Sequence, residues 1–230
     1  TVISLLLLTR FTRFTFDTPG TPTRIKMADF SWETTLYNAM SAVTTTPKGK
    51  TEPVCVAEGL YVTDSADWGY HGHYPAEGNY ATVLDESSAY SHSIAQEDGT
   101  DKDEMIDELK NFKSMVATGA RRPNSQGVFL SGLKYTLTRM AAVGKPRDLE
   151  DVRKITIKVG EDEDEVNVTF NKVFYLNSGP HQVAVCEDKQ TYVYIAYGNK
   201  SNNGMEQSHG ALVETCAHAA YYAGSAEADE

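Results

Sequence analysis

Apolar positions along the chain change period several times, and each change marks an element. Phe30, Leu36, Tyr37, Met40 and Val43 recur near helical spacing, with Asp29 or Ser31 as N-cap and Glu33 in the first turn. PVCVAEGLYVT (53–63) reads as a hairpin turning at Glu58-Gly59. In DKDEMIDELKNFKSMV (101–116), Met105, Leu109, Phe112 and Val116 step by four, three and four, which predicts an amphipathic helix with an acidic first turn. GVFLSGLKYTLTR (127–139) predicts a second hairpin, turning at Ser131-Gly132, and residues 146–153 a short helix. KITIKV (154–159) and VNVTFNKVFYL (166–176) alternate as strands around an acidic tip. QVAVCE and TYVYIAYG (182–198) are two more strands about Asp188-Lys189-Gln190. The last helix spans about Ser208 to Ala223, with Leu212, Cys216, Ala219, Ala220 and Ala223 along one stripe and Gly224 as its stop. Helix, hairpin, helix, a run of strands and a final helix make an antiparallel meander, a layered α+β domain.

Two segments fall outside this pattern. Residues 64–100 are dominated by Gly, Tyr, His, Ser and acids, and neither period persists, which predicts a flexible surface insertion. Residues 1–26 carry Arg10, Arg13, Arg24 and Lys26 against Asp17, a local charge of +3, and leave −14 on residues 27–230 of the net −11. The change of character at Met27 predicts that the domain occupies 27–230. The preceding 1–26 reads as a loosely ordered or non-native extension.

An acidic body repels a phosphate backbone, so nucleic acid is excluded as a partner. Cys55, Cys186 and Cys216 are odd in number and unpaired in spacing, which favours reduced thiols and a cytoplasmic setting. No apolar run approaches the roughly 18 residues a membrane span needs.

Taken in order, SWETTLY (31–37), DEMIDELKNF (103–112), GVFLSGLKYTLTR (127–139) and HGAL (209–212) resemble segments of the profilin family. SWETTLY (31–37) is similar to the profilin start, a Ser-Trp pair opening the first helix. DEMIDELKNF resembles the helix before the family's hairpin. In GVFLSGLKYTLTR, Gly127, Gly132, Lys134 and Arg139 fall on the hairpin pattern, with Ser131 in place of one glycine. HGAL (209–212) opens the last helix as in animal profilins. The resemblance covers about Phe30 to Gly224, interrupted at 64–100 and between Met140 and Glu165. It implies a central antiparallel sheet, with the first and last helices on one face and smaller helices on the other.

The resemblance also implies a function: a monomeric, cytoplasmic and cytoskeletal protein that binds actin monomers and regulates filament assembly, without catalysis or cofactor. Lys134, Arg139 and His209 match actin-contacting positions, and Ala211, Glu214 and Thr215 are the further candidates for that contact. Glu214 and Thr215 replace an Asn-Lys pair, and Ala219 an acidic residue, which should weaken that contact. Family members also bind proline-rich peptides, whose extended conformation has little entropy left to lose and whose bare carbonyls accept from aromatic N–H and O–H groups. Trp32 matches that site, and Tyr37, Tyr61, Tyr221 and Tyr222 are the remaining candidates. The turn-on aromatic is replaced by Thr35, and the second-strand Trp by Tyr61 or Val62 depending on register. Peptide binding is therefore expected to be weak. Phosphoinositide binding is implied too, against the acidic charge. The alternative is a profilin-fold scaffold that has lost actin and recognises only proline-rich peptides or phosphoinositides.

His71, His73 and His92 lie in one segment with acids nearby, but flexible His-x-His loops are usually unliganded. EDGTDKDE (97–104) lacks calcium-loop spacing, and Gly49-Lys50-Thr51 lacks the first glycine of a phosphate loop. Cys216 and His218 are two apart on a helix, so they point to different faces and make no nucleophile and base.

Overall fold

The computed structural model describes residues 14–18, 21–24, 31–45, 52–63, 68–73, 83, 86–96, 98–142, 154–159, 164–188, 191–199 and 209–224. The chain divides into two compact units, Thr1–Ser31 and Trp32–Glu230. In the first, β1 (Phe14–Thr18) and β2 (Thr21–Arg24) pair as an antiparallel ribbon, within the segment expected to be loosely ordered.

The second unit is a mixed α+β arrangement. Its elements are α1 (Trp32–Ala42), the short pair β3 (Thr44–Thr45) and β4 (Glu52–Pro53), then β5 (Ala57–Val62) and β6 (Gly69–His73). A hairpin of β7 (Tyr90–Ala95) and β8 (Asp101–Ile106) follows, then α2 (Glu108–Thr118), β9 (Val128–Leu130) and β10 (Leu133–Ala142). The hairpin β11 (Lys154–Val159) and β12 (Asp164–Thr169) precedes β13 (Lys172–Ser178), β14 (His181–Glu187), β15 (Tyr192–Asn199) and α3 (His209–Tyr222). Seven strands form one sheet in the order β6-β5-β15-β14-β13-β10-β9, every neighbour antiparallel.

Strand alternation splits the core in two. On one face Leu60, Val173, Tyr175, Ala184, Cys186, Tyr194 and Ala196 meet Leu36, Ala39 and Met40 of α1 and Leu212, Cys216 and Ala220 of α3. On the other, Tyr61, Phe174, Leu176, Val183, Val185, Val193 and Ile195 meet Phe112, Met115 and Val116 of α2. Phe112 is fully buried there, so truncating it to Ala should cost about 3–5 kcal/mol. Asp107 caps α2 by accepting from the Lys110 N–H at 2.8 Å, and Gly119, at φ 70°, ends it by donating its N–H to Met115.

Several elements differ from the sequence reading. Residues 53–63 do not turn at Glu58-Gly59; both lie within β5, because β15 and β6 pair on either side of it. The helix expected from residue 101 begins at Glu108. Residues 101–106 pair with β7 instead, leaving Met105 61% exposed while Ile106 is buried. The segment 64–100 contributes the edge strand β6 and the strand β7, so part of it belongs to the body. Residues 146–153 lie outside the described residues.

The hairpin at Ser131-Gly132 forms as expected. Both residues have positive φ, 52° and 80°, the left-handed pair that a two-residue turn between twisted strands requires. Serine tolerates that strain with a partner, for the Glu108 carboxylate accepts from the Ser131 N–H at 2.9 Å, the Gly132 N–H at 2.7 Å and the Tyr90 hydroxyl at 2.8 Å. The three cysteines are buried free thiols on the α1/α3 face.

Candidate functional site

Lys134 and Arg139 are five residues apart on β10, an odd spacing that would send them to opposite faces of a regular strand. A bulge corrects this. The register of β10 against β13 skips between Leu137 and Arg139, so Arg139 lies opposite Tyr175 while Thr136 lies opposite Asn177. Lys134, Thr136 and Arg139 therefore share the face that carries α1 and α3, and both cations are exposed.

His209, at the start of α3, reaches the same place. The Arg139 guanidinium lies 5.4 Å from the Tyr175 ring centre, and the His209 ring meets Tyr175 edge-on at 5.3 Å and 86°. His209 Nε2 is 3.1 Å from the Leu176 carbonyl oxygen; a carbonyl offers only lone pairs, so Nε2 carries the hydrogen. Tyr175 is the central piece, and sequence reasoning missed it. Burial pushes its phenol up to about 12, so it stays neutral beneath the cation. Alternation in KVFYLNS could have assigned Tyr175 to this face, but only the bulge brings Arg139 opposite it.

Lys134 is more distant in the register, over the Phe129 ring at 5.7 Å. Phe129 is fully buried beneath Ile94, Ile106 and the His92 ring of the β7–β8 hairpin, the ring centres 5.0 Å apart. His92 therefore lies by the β9 edge and His71 on the β6 edge, so the two histidines do not meet.

On α3 the expected contact residues fare unevenly. Ala211 and Glu214 are half-buried, and burial raises the Glu214 carboxyl. Thr215 is fully buried, its hydroxyl donating to the Ala211 carbonyl at 3.0 Å, and Ala219 is buried as well. Thr215 is thus not a surface residue, because α3 is enclosed by the sheet, by α1 and by the β11–β12 hairpin.

A second cluster surrounds Trp32. Its half-buried indole stacks on His71 of β6 at 5.5 Å and 28°, and meets Tyr192 of β15 edge-on at 5.3 Å. Val62 packs against the same core, so the register places Val62, and not Tyr61, on the Trp32 side. Tyr61 points through the sheet to the α2 side, against Trp68 and Phe112, where its hydroxyl accepts from the Val83 N–H at 3.1 Å. Tyr61 is therefore removed from the proposed peptide site. Tyr37 is 55% exposed on α1. Tyr221 and Tyr222 meet edge-on at 5.6 Å, with Tyr222 beside the buried His218 ring.

His71 was hidden by the composition of its segment, which reads as loop. It is ordered because Gly69–His73 extends the sheet and because the Tyr70 ring folds over Gly72, where any Cβ would overlap its hydroxyl. Burial lowers the His71 pKa, which keeps the ring neutral against the indole.

Among the described residues, no group of His, Cys, Asp and Glu is arranged to hold a metal, and no helix is long and apolar enough to cross a membrane. No protein-family model matches this chain, and no curated protein matches it.

Proposed function

We propose that this chain is a profilin-like binding module whose Lys134–Arg139–Tyr175–His209 face docks on an acidic protein surface, with the actin monomer as partner. The observation that carries this reading is the meeting of Arg139 and His209 at the Tyr175 ring, with Lys134 on the same sheet face. A local cationic patch on a body of net charge −11 is what steering toward an acidic partner requires. The partner's identity comes from the resemblance in SWETTLY, GVFLSGLKYTLTR and HGAL. The test is pyrene-actin assembly with Arg139→Glu. Wild type should slow assembly and the variant should not, with circular dichroism unchanged. Equal kinetics for the two proteins would reject the site.

The Trp32 cluster supports a second reading, recognition of proline-rich peptides. The half-buried indole and His71, backed by the buried Tyr192, form an aromatic group of the kind that accepts an extended proline helix. Burial of Thr215 and Ala219 favours peptide binding without actin binding. Retention on immobilised polyproline but not on immobilised actin would select that reading, and loss with Trp32→Ala would place it at this cluster.

A further inference from the structure

A helix lying on a sheet needs to bury only one stripe. In α3 the buried residues Leu212, Val213, Thr215, Cys216, Ala217, His218, Ala219 and Ala220 run around most of the axis, and from Leu212 to Ala220 Glu214 alone keeps partial exposure. Among the described residues, the sheet, α1 and the β11–β12 hairpin all contribute to this enclosure.

That hairpin is built differently from the body it covers. Its strands pair only with each other and join no strand of the central sheet among the described residues. One row, the buried Ile157 and Val168 with the half-buried Ile155, Val159 and Val166, holds it to the α3 core. The opposite row, Lys154, Thr156, Lys158, Glu165 and Thr169, is exposed and polar. A two-stranded ribbon is marginal in water, so a hairpin fixed by one apolar row opens more easily than the sheet beneath it. The surface of α3 is also not purely apolar. His218 is 4% exposed, and its Nδ1 has no partner among the described residues.

We propose that the β11–β12 hairpin is a displaceable cover on α3, and that its release extends the Arg139–Tyr175–His209 face along the helix. The gain in binding rests on the actin reading above; the opening itself does not. Release would add part of the enclosed α3 surface to the partner's footprint beside His209.

Hydrogen exchange on the wild-type chain, followed by mass spectrometry, tests the opening. Amides of residues 154–159 and 164–169 should exchange at least tenfold faster than those of β14 and β15. Exchange of the hairpin in step with β14 would show an integral part of the core and overturn the proposal. The second arm compares actin-monomer affinity of wild type and Ile157→Ser. A released hairpin should raise affinity at least tenfold, and equal affinity with a hairpin shown to be released would overturn the proposal. A hairpin that opens on its own while neither protein binds actin would support the cover and sink the actin reading. Should Ile157→Ser fail to fold, the wild-type exchange pattern decides.

Discussion

Replacing Glu58 by Gln should stabilise this protein at neutral pH and leave it almost unchanged in acid. Glu58 sits within β5, fully buried, and neither carboxyl oxygen has a hydrogen-bond partner among the described residues. Its neighbours include the Cys186 thiol. Burial, then proximity to Cys186, pushes the carboxyl well above its ordinary value of 4.5, so the folded state holds its proton where the unfolded chain has lost it. A raised carboxyl pKa gives stability that is complete below the unfolded value and is lost as pH rises through the window up to the folded one. Holding a carboxyl protonated at pH 7 costs up to about 3 kcal/mol, and the loss proceeds at about 1.4 kcal/mol for each pH unit within the window. Glutamine has nearly the same shape, also buries an amide without partners, and carries no proton to hold. Urea denaturation of both proteins at pH 5, 6, 7 and 8 measures the difference. Glu58→Gln should gain little at pH 5 and up to about 3 kcal/mol at pH 7. A stability difference that does not change between pH 5 and pH 8 would refute the protonated-carboxyl argument.

Two further outcomes follow from buried polar groups. Glu108→Ala strips the Ser131 and Gly132 amides and the Tyr90 hydroxyl of their acceptor, so it should lower the unfolding free energy by about 2–4 kcal/mol, whereas Tyr90→Phe, losing one bond, should cost about 1 kcal/mol; similar urea midpoints for the two would be the contrary result. Burial lowers the pKa of His218 and of His71 below 6.5, so the unfolded chain binds protons first: stability is complete above 6.5 and falls as pH drops below it. His218→Leu should flatten that acid-side decline in thermal melts, and an unchanged decline would remove His218 from the account.

Much of the fold was legible because period and burial coincide. The unbroken apolar runs in KVFYLNS, HQVAVCE and YVYIAYGN specify strands buried on both faces, and the stripe from Leu212 to Ala223 specifies the last helix. The turn at Ser131-Gly132 was readable from the sequence alone, although the positive φ of Ser131 was not. Where the reading failed, local and tertiary preferences disagreed. Asp107 outcompetes the earlier acids as N-cap once residues 101–106 find a partner in β7. Glu58-Gly59 looks like a turn until strands flank it on both sides.

The candidate site divides in the same way. Local sequence determined which residues could carry charge or an aromatic ring: Lys134, Arg139, His209 and Trp32 are visible by type and spacing. Tertiary structure alone decided which of them meet. One bulged residue in β10 sets Arg139 opposite Tyr175, register sends Tyr61 through the sheet and leaves Val62 beside Trp32, and packing of α3 against the sheet, α1 and the β11–β12 hairpin buries Thr215. The reason is physical. The face a strand residue points to inverts with every one-residue shift in pairing. Pairing is set by partners far along the chain, so no local pattern can encode it.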